Sequence, residues 1–176
     1  MGMFPPGYRQ QRAPDAPYYD TALVCTNGHV ANTSAKEVPE RNTKFCAACG
    51  QPTVSKCANC GTDIRGRYHS PGVLVLSSKE WVPPAYCHEC GAAYPWTQAR
   101  IDAAAQLLAL TSLPDADKAQ AVQDLKDISS DTPRTNVAAV RWTQVLSKVG
   151  PQVADGLREL LVAIASETAK KMLFPS

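Results

Sequence analysis

The 176-residue sequence contains no run near the roughly eighteen consecutive apolar residues of a membrane span. Its opening MGMFPPGYRQ lacks the apolar stretch of a secretory signal, and Pro6 stands where a myristoylation motif wants Ser or Thr. These absences predict a cytoplasmic protein. Excess charge is also missing, since 18 Lys and Arg face 16 Asp and Glu. Histidine is scarce, with only three in the chain, which leaves few candidates for acid–base catalysis at neutral pH. Cysteine is present in an odd number, seven, which argues against a closed disulfide framework.

Those cysteines are paired in sequence. Cys25 and His29 form CxxxH in VCTNGH, Cys46 and Cys49 form CxxC in FCAACG, Cys57 and Cys60 do so in KCANCG, and Cys87 and Cys90 in YCHECG. Each pair has zinc-ligand spacing, and where an eighth cysteine would stand there is His29, the other side chain zinc prefers. The eight residues predict two structural sites and two Zn2+ per chain. Gly50, Gly61 and Gly91 each follow the second cysteine of a CxxC, as expected where a knuckle turns back through positive φ. Ligation makes the cysteines thiolates. Seven thiolates subtract seven charges and two zinc ions return four, so the formal +2 becomes −1, and strong nonspecific attraction to phosphates is not built in.

Four successive pairs can close in order or interleave, as in cross-braced RING-like domains. The seven residues GQPTVSK between Cys49 and Cys57 favour closure in order. The first site is then Cys25, His29, Cys46 and Cys49, and the second Cys57, Cys60, Cys87 and Cys90.

The fold class expected is α+β, with small β-hairpin zinc ribbons in tandem followed by an all-α region of about four helices. Residues 1–17 read as a disordered Pro-rich tail, 18–98 as the tandem ribbons, and 99–176 as helical. YDTALVC reads as a strand delivering the first ligands. The sixteen residues after His29 are long enough for a strand, a turn marked by Pro39 and a return strand entering FCAACG. GVLVLSS reads as a strand covered on both faces.

In the C-terminal part Ile101, Ala104, Ala105 and Leu108 recur at helical spacing after Pro95, followed by Val122, Leu125 and Ile128 in a second helix capped near Ser112 and Pro114. A third stripe runs from Ala138 through Trp142, Val145 and Leu146 to Val149. A fourth helix, Pro151 to about Leu173, carries Val153, Leu157, Leu160, Leu161, Ile164 and Thr168. Helices three and four read as an antiparallel hairpin whose apolar faces require a cover, from the same chain, a second copy or a partner.

VCTNGH, FCAACG, KCANCGTDIRG, YCHECGAAYPWT and SDTPRT together resemble an uncharacterised bacterial zinc-ribbon family. That resemblance spans residues 18 to about 98 well and the helices loosely. It implies the eight ligands and a cytoplasmic bacterial setting, and no activity.

The reading that results is a non-enzymatic zinc protein serving as a protein-interaction module or adaptor, with self-association or a protein partner engaged through the C-terminal helices. Four protein ligands at each zinc leave no position for the water or substrate a catalytic zinc activates. His69 and His88 read as surface or hydrogen-bonded residues. A second reading is a nucleic-acid-binding ribbon, through Arg65, Arg67 and Tyr68 in DIRGRYH, where the same residues also suit a solvated hairpin edge. A third is a cross-braced ligase-like adaptor. Trp81, Tyr94 and Trp96 serve either as partner anchors or as packing between ribbon and helix.

Overall fold

The computed structural model describes residues 16–71, 73 and 80–174. The first fifteen residues of the Pro-rich tail lie outside the described residues, as does most of GVLVLSS. Its Val73 is described, and lies outside any strand with 61% of its surface exposed.

Among the described residues five short strands come first: β1 (Tyr18–Thr21), β2 (Leu23–Cys25), β3 (Val30–Asn32), β4 (Thr53–Val54) and β5 (Arg65–His69). Five helices follow: α1 (Pro95–Ala109), α2 (Asp115–Ser130), α3 (Thr135–Lys148), α4 (Pro151–Ile164) and α5 (Glu167–Leu173). The strands make two antiparallel sheets, one of β1 with β5 and one in the order β3-β2-β4. β1 and β2 are one extended run broken at Ala22, whose N–H leaves the ladder to donate to Ile64 O at 2.8 Å. The first strand therefore belongs to both ribbons at once: β2 carries Cys25, while β1 pairs with the chain leaving Cys60.

The return strand expected before FCAACG is not there. β2 pairs on its second side with β4, after the knuckle (Val24 with Val54, Cys25 with Thr53), and the segment before Cys46 contributes only an isolated bridge from Phe45 to Pro52. Polar side chains take the backbone instead. The buried Asp20 carboxylate accepts from the N–H groups of Lys36 (3.0 Å) and Glu37 (3.1 Å). Asn32 Nδ2 donates to Val38 O (2.9 Å) and Asn42 Oδ1 (2.8 Å), and Pro39–Arg41 forms a single 3-10 turn. Gly66 in β5 is required by close approach: a Cβ there would collide with Thr33 O and come within 2.9 Å of the Thr21 carbonyl carbon.

α1 joins the two halves. Its start, Trp96, is buried with Tyr94, Val24, Ile64, Cys57 and Cys87 in the ribbon core, whereas Ile101, Ala104 and Leu108 further along enter the helical core. Trp96 Nε1 donates to Pro84 O (2.9 Å) and Thr97 Oγ1 to Ala85 O (2.8 Å), holding the approach to the last knuckle against the helix. Tyr94 and Trp96 are each 1% exposed, with rings stacked 4.7 Å apart, so both are packing residues rather than partner anchors. Trp81 is partly buried against the same core.

The helical half departs from the expected hairpin. α3 packs chiefly against α2 and α5, and α4 against α1. Trp142 on α3 is fully buried and donates from Nε1 to Ala121 O of α2 at 3.1 Å, which commits that face to α2. Gly156 lets α1 come close to α4, with Leu107 Cδ1 3.2 Å from where a Cβ would stand. The fourth helix expected to run to Leu173 ends at Ile164. Ser166 then caps α5, its Oγ accepting from Ala169 N (3.3 Å) while its own N–H donates to Ile128 O (2.9 Å). Thr168 consequently faces solvent, outside the stripe. Leu157, Leu161 and Ile164 are buried in the chain's own core with Leu160 packed against it, so the face proposed for association is covered by the same chain. The start of α2 lies at Asp115 with Pro114 before it, and Ser112 makes no cap.

Candidate metal centres

The local geometry that carries the cysteines is one motif used three times. Each CxxCG is closed by an antiparallel bridge between the residue before the first cysteine and the residue two beyond the glycine: Phe45 with Pro52, Lys56 with Asp63, Tyr86 with Ala93. The first cysteine donates its N–H to the carbonyl of the residue after the glycine (Cys46 to Gln51, Cys57 to Thr62, Cys87 to Ala92, each 2.8 Å), and the glycine N–H donates back to the first cysteine's carbonyl. Gly50, Gly61 and Gly91 take φ of +70°, +75° and +70°, a region costly to side chains with a Cβ. The CTNGH pair is a variant. Cys25 N donates to His29 O (2.9 Å), His29 N donates to Cys25 Sγ (3.2 Å), and Gly28 turns at φ +92°.

These knuckles bring the eight predicted residues into two groups, Cys25, His29, Cys46, Cys49 and Cys57, Cys60, Cys87, Cys90, with ligand atoms in each within 4.8 Å of one another. The pairs close in order, and the cross-braced arrangement is therefore corrected. The residues between Cys49 and Cys57 include β4, whose pairing with β2 holds the second knuckle beside the first. In the first group His29 points Nδ1 inward, 3.5 Å from Cys25 Sγ, 3.3 Å from Cys49 Sγ and 3.6 Å from Cys46 Sγ, and Cys25 and Cys49 sulfurs are 3.8 Å apart. In the second, Cys57 and Cys90 sulfurs are 3.7 Å apart and those of Cys60 and Cys87 3.6 Å.

These distances fit a tetrahedral ion. With metal–sulfur bonds of about 2.3 Å, the tetrahedral edge is about 3.8 Å, and replacing one sulfur by nitrogen at about 2.0–2.1 Å shortens it to about 3.5–3.6 Å. They are far longer than the roughly 2.05 Å of a disulfide, and all seven cysteines are free. Either group can therefore hold a metal ion.

The knuckle backbone N–H groups pull toward the thiolate form. At Cys57 those of Cys60 and Asn59 do so, but burial and the neighbouring thiols of Cys87 and Cys60 outweigh them and raise its pKa. The N–H groups of Cys90 and Glu89 converge on Cys87 and, with burial opposing them, lower its pKa to about 6. At Cys46 burial again opposes, but the N–H groups of Ala48 and Cys49 prevail and the pKa falls to about 7. Cys25 is pushed up, first by burial and then by its thiol neighbours, against the N–H groups of His29 and Asn27. Around the sites, burial, followed by the charge of Cys87, raises the Tyr94 hydroxyl above its usual range. Arg100, half-buried, packs on Gly28, and burial lowers its pKa while the Cys25 charge opposes. Its guanidinium donates to Ala163 O at 3.3 Å, in the last turn of α4, so one cation links the first cluster to a helix C-terminus.

The other sequence candidates lie outside both clusters. His69 packs its ring 5.1 Å from that of Tyr18, and His88 is exposed within the last knuckle. Sequence reasoning missed Asp20, whose buried carboxylate anchors the loop after β3, and the pairing of Tyr19 with Tyr68 across β1 and β5. A Tyr-Tyr-Asp run opening a predicted strand was the available signal. Among the described residues no helix is long and apolar enough to cross a membrane.

A family model described as an uncharacterized protein conserved in bacteria, DUF2321, matches residues 18–173. No curated protein and no solved structure matches the chain.

Proposed function

The chain belongs to that family of uncharacterized bacterial proteins, and we propose that it is a non-enzymatic cytoplasmic protein whose two structural Zn2+ ions hold the ribbons as a rigid interaction module or adaptor. The observation that carries this reading is the closure of both clusters: each offers four protein ligand atoms at tetrahedral spacing. Three thiolates with an imidazole, and four thiolates, are the soft donor sets that suit zinc. An ion so enclosed contributes folding energy and rigidity, without a position for substrate. Two-residue and three-residue strands such as β4 and β2 bury too little to be stable without it.

The helical half supports the same role. The stripe Leu157, Leu161 and Ile164 is buried internally, and α1 fixes the helices to the ribbons, so a binding surface on the ribbons is presented from a firm base. Two experiments test the proposal. Cobalt substitution gives the spectrum of two tetrahedral thiolate-rich centres, unchanged by added azide; azide-sensitive bands reveal an open, catalytic-type position. Affinity capture with the zinc-loaded chain recovers a bacterial protein that the zinc-free chain does not; equal recovery by both contradicts the adaptor role.

A further inference from the structure

Two surface features of the ribbons play no part in holding metal. Tyr19 and Tyr68 face each other across β1 and β5 with ring centroids 5.0 Å apart, and they are 52% and 50% exposed. The Arg65 guanidinium lies 5.1 Å from the Tyr19 ring centroid. Beyond a break in the β1–β5 register after Tyr19, Thr21 pairs with Arg65 and is the β1 residue in the wall of a groove of about 640 Å³. Lys36, Lys44 and Lys56 line that groove together with the Ser55 hydroxyl, whereas the Thr53 hydroxyl already donates to Thr43 O.

The acidic residues nearby are already engaged. Asp63, the one acid lining the groove among the described residues, is paired with Lys36 at 2.6 Å and Lys56 at 4.0 Å. Asp20 is buried, its carboxylate held by backbone N–H groups. Lys44, Arg65 and Arg67 have no acidic partner among the described residues. A groove with surplus positive charge and a serine hydroxyl suits phosphates, and half-exposed tyrosines beside an arginine suit the faces of bases. Both demands are met together by a nucleic acid whose bases are unstacked; a duplex hides those faces, and an acidic peptide has no use for the rings.

We infer that this face of the ribbons binds single-stranded nucleic acid, with bases stacked on Tyr68 and along the Tyr19–Arg65 stack and phosphates laid along the lysine groove. The inference rests on the reading of the ribbons as a binding module rather than a catalyst. Because the zinc-loaded chain has a net charge near −1, binding depends on this patch and not on bulk charge.

The test is fluorescence anisotropy of the zinc-loaded full chain with short labelled single-stranded RNA and DNA, the matching duplex, and polyglutamate as competitor. Single strands bind in preference to duplex and resist polyglutamate. The RNA and DNA arms show whether the sugar matters. Tyr68→Ala weakens binding roughly 5- to 150-fold, the loss of one stacked base, while Tyr68→Phe retains it. Lys44→Ala lowers the salt slope by about 0.7. Each variant is first checked for two zinc ions; should Tyr68→Ala lose zinc, the paired change Arg65→Ala with Arg67→Ala decides instead, with weakened single-strand binding expected and unchanged binding overturning the inference. Equal binding of duplex, displacement by polyglutamate, indifference to Tyr68→Ala or no binding at all also overturns it. Failure of the zinc reading shows separately, in the metal content.

Discussion

The hydroxyl oxygens of Tyr86 and Ser129 lie 2.6 Å apart, tying the residue before Cys87 to the last turn of α2. Ser129 Oγ in turn donates to Lys126 O at 3.1 Å, so Tyr86 donates to Ser129 and the serine is satisfied from both sides. With Trp96 and Arg100 bridging elsewhere, this contact joins ribbon and helices, which are expected to unfold together. Tyr86→Phe should lower stability by about 0.5–1.5 kcal/mol without changing zinc content. Urea unfolding followed by far-ultraviolet circular dichroism and by zinc release checks this. The two signals should move together, and a helical transition separate from metal loss would contradict the coupling.

Glycine substitutions should rank by contact. Gly66→Ala forces backbone against Thr33 O and is expected to prevent stable ribbon formation. Gly28→Ala combines φ +92° with a Cβ 2.9 Å from Arg100 Nη2 and 3.0 Å from Trp96 Cβ, and should cost more than Gly61→Ala. At Gly61 nothing lies within 4 Å of the added Cβ, leaving only the positive-φ strain of about 1–3 kcal/mol. Thermal denaturation of the zinc-loaded variants gives the order, and a Gly66→Ala chain as stable as Gly61→Ala would refute the close approach.

Leu161 is fully buried between helices of its own chain. Leu161→Asp places an unpaired carboxylate in that core and should abolish the helical fold, and Leu161→Ala should cost about 2–5 kcal/mol. Circular dichroism with light scattering checks both. Retained helicity with loss of a dimer would instead show that the face is covered by another copy.

What the sequence made legible was the chemistry: all four ligand pairs and the knuckle glycines follow from local spacing, because a CxxCG turn is determined within a few residues, while their grouping was only favoured, by the length of the connection between Cys49 and Cys57. The apolar stripes on α1 to α4 were legible for the same reason. The distant pairings were not. Nothing near Tyr19 in the sequence points to Tyr68, and the partner of β2 lies beyond a knuckle, at Thr53–Val54. The division of the last helix was signalled by Ser166 before Glu167, an N-cap with an acid in the first turn, but the apolar period runs across it and hides the break. The exchange of helix partners has its physical origin in Trp142, whose indole N–H needs an acceptor and finds Ala121 O on α2.

Metal removal should collapse the ribbons. Structural zinc in small fingers is worth roughly 10–16 kcal/mol of apparent binding energy, more than strands of two to five residues can supply. Adding a strong chelator should therefore erase the dispersed amide resonances of residues 18–71 in an NMR spectrum. A spectrum that keeps them would show that the ribbons fold without metal.

The most direct test of the central claim, two separate closed zinc sites, is the zinc content of Cys25→Ser, Cys57→Ser and the double variant measured by native mass spectrometry. The wild-type chain should carry two zinc ions, each single variant one, and the double variant none. A double variant that still holds one zinc would place Cys25 and Cys57 in the same site and contradict the account.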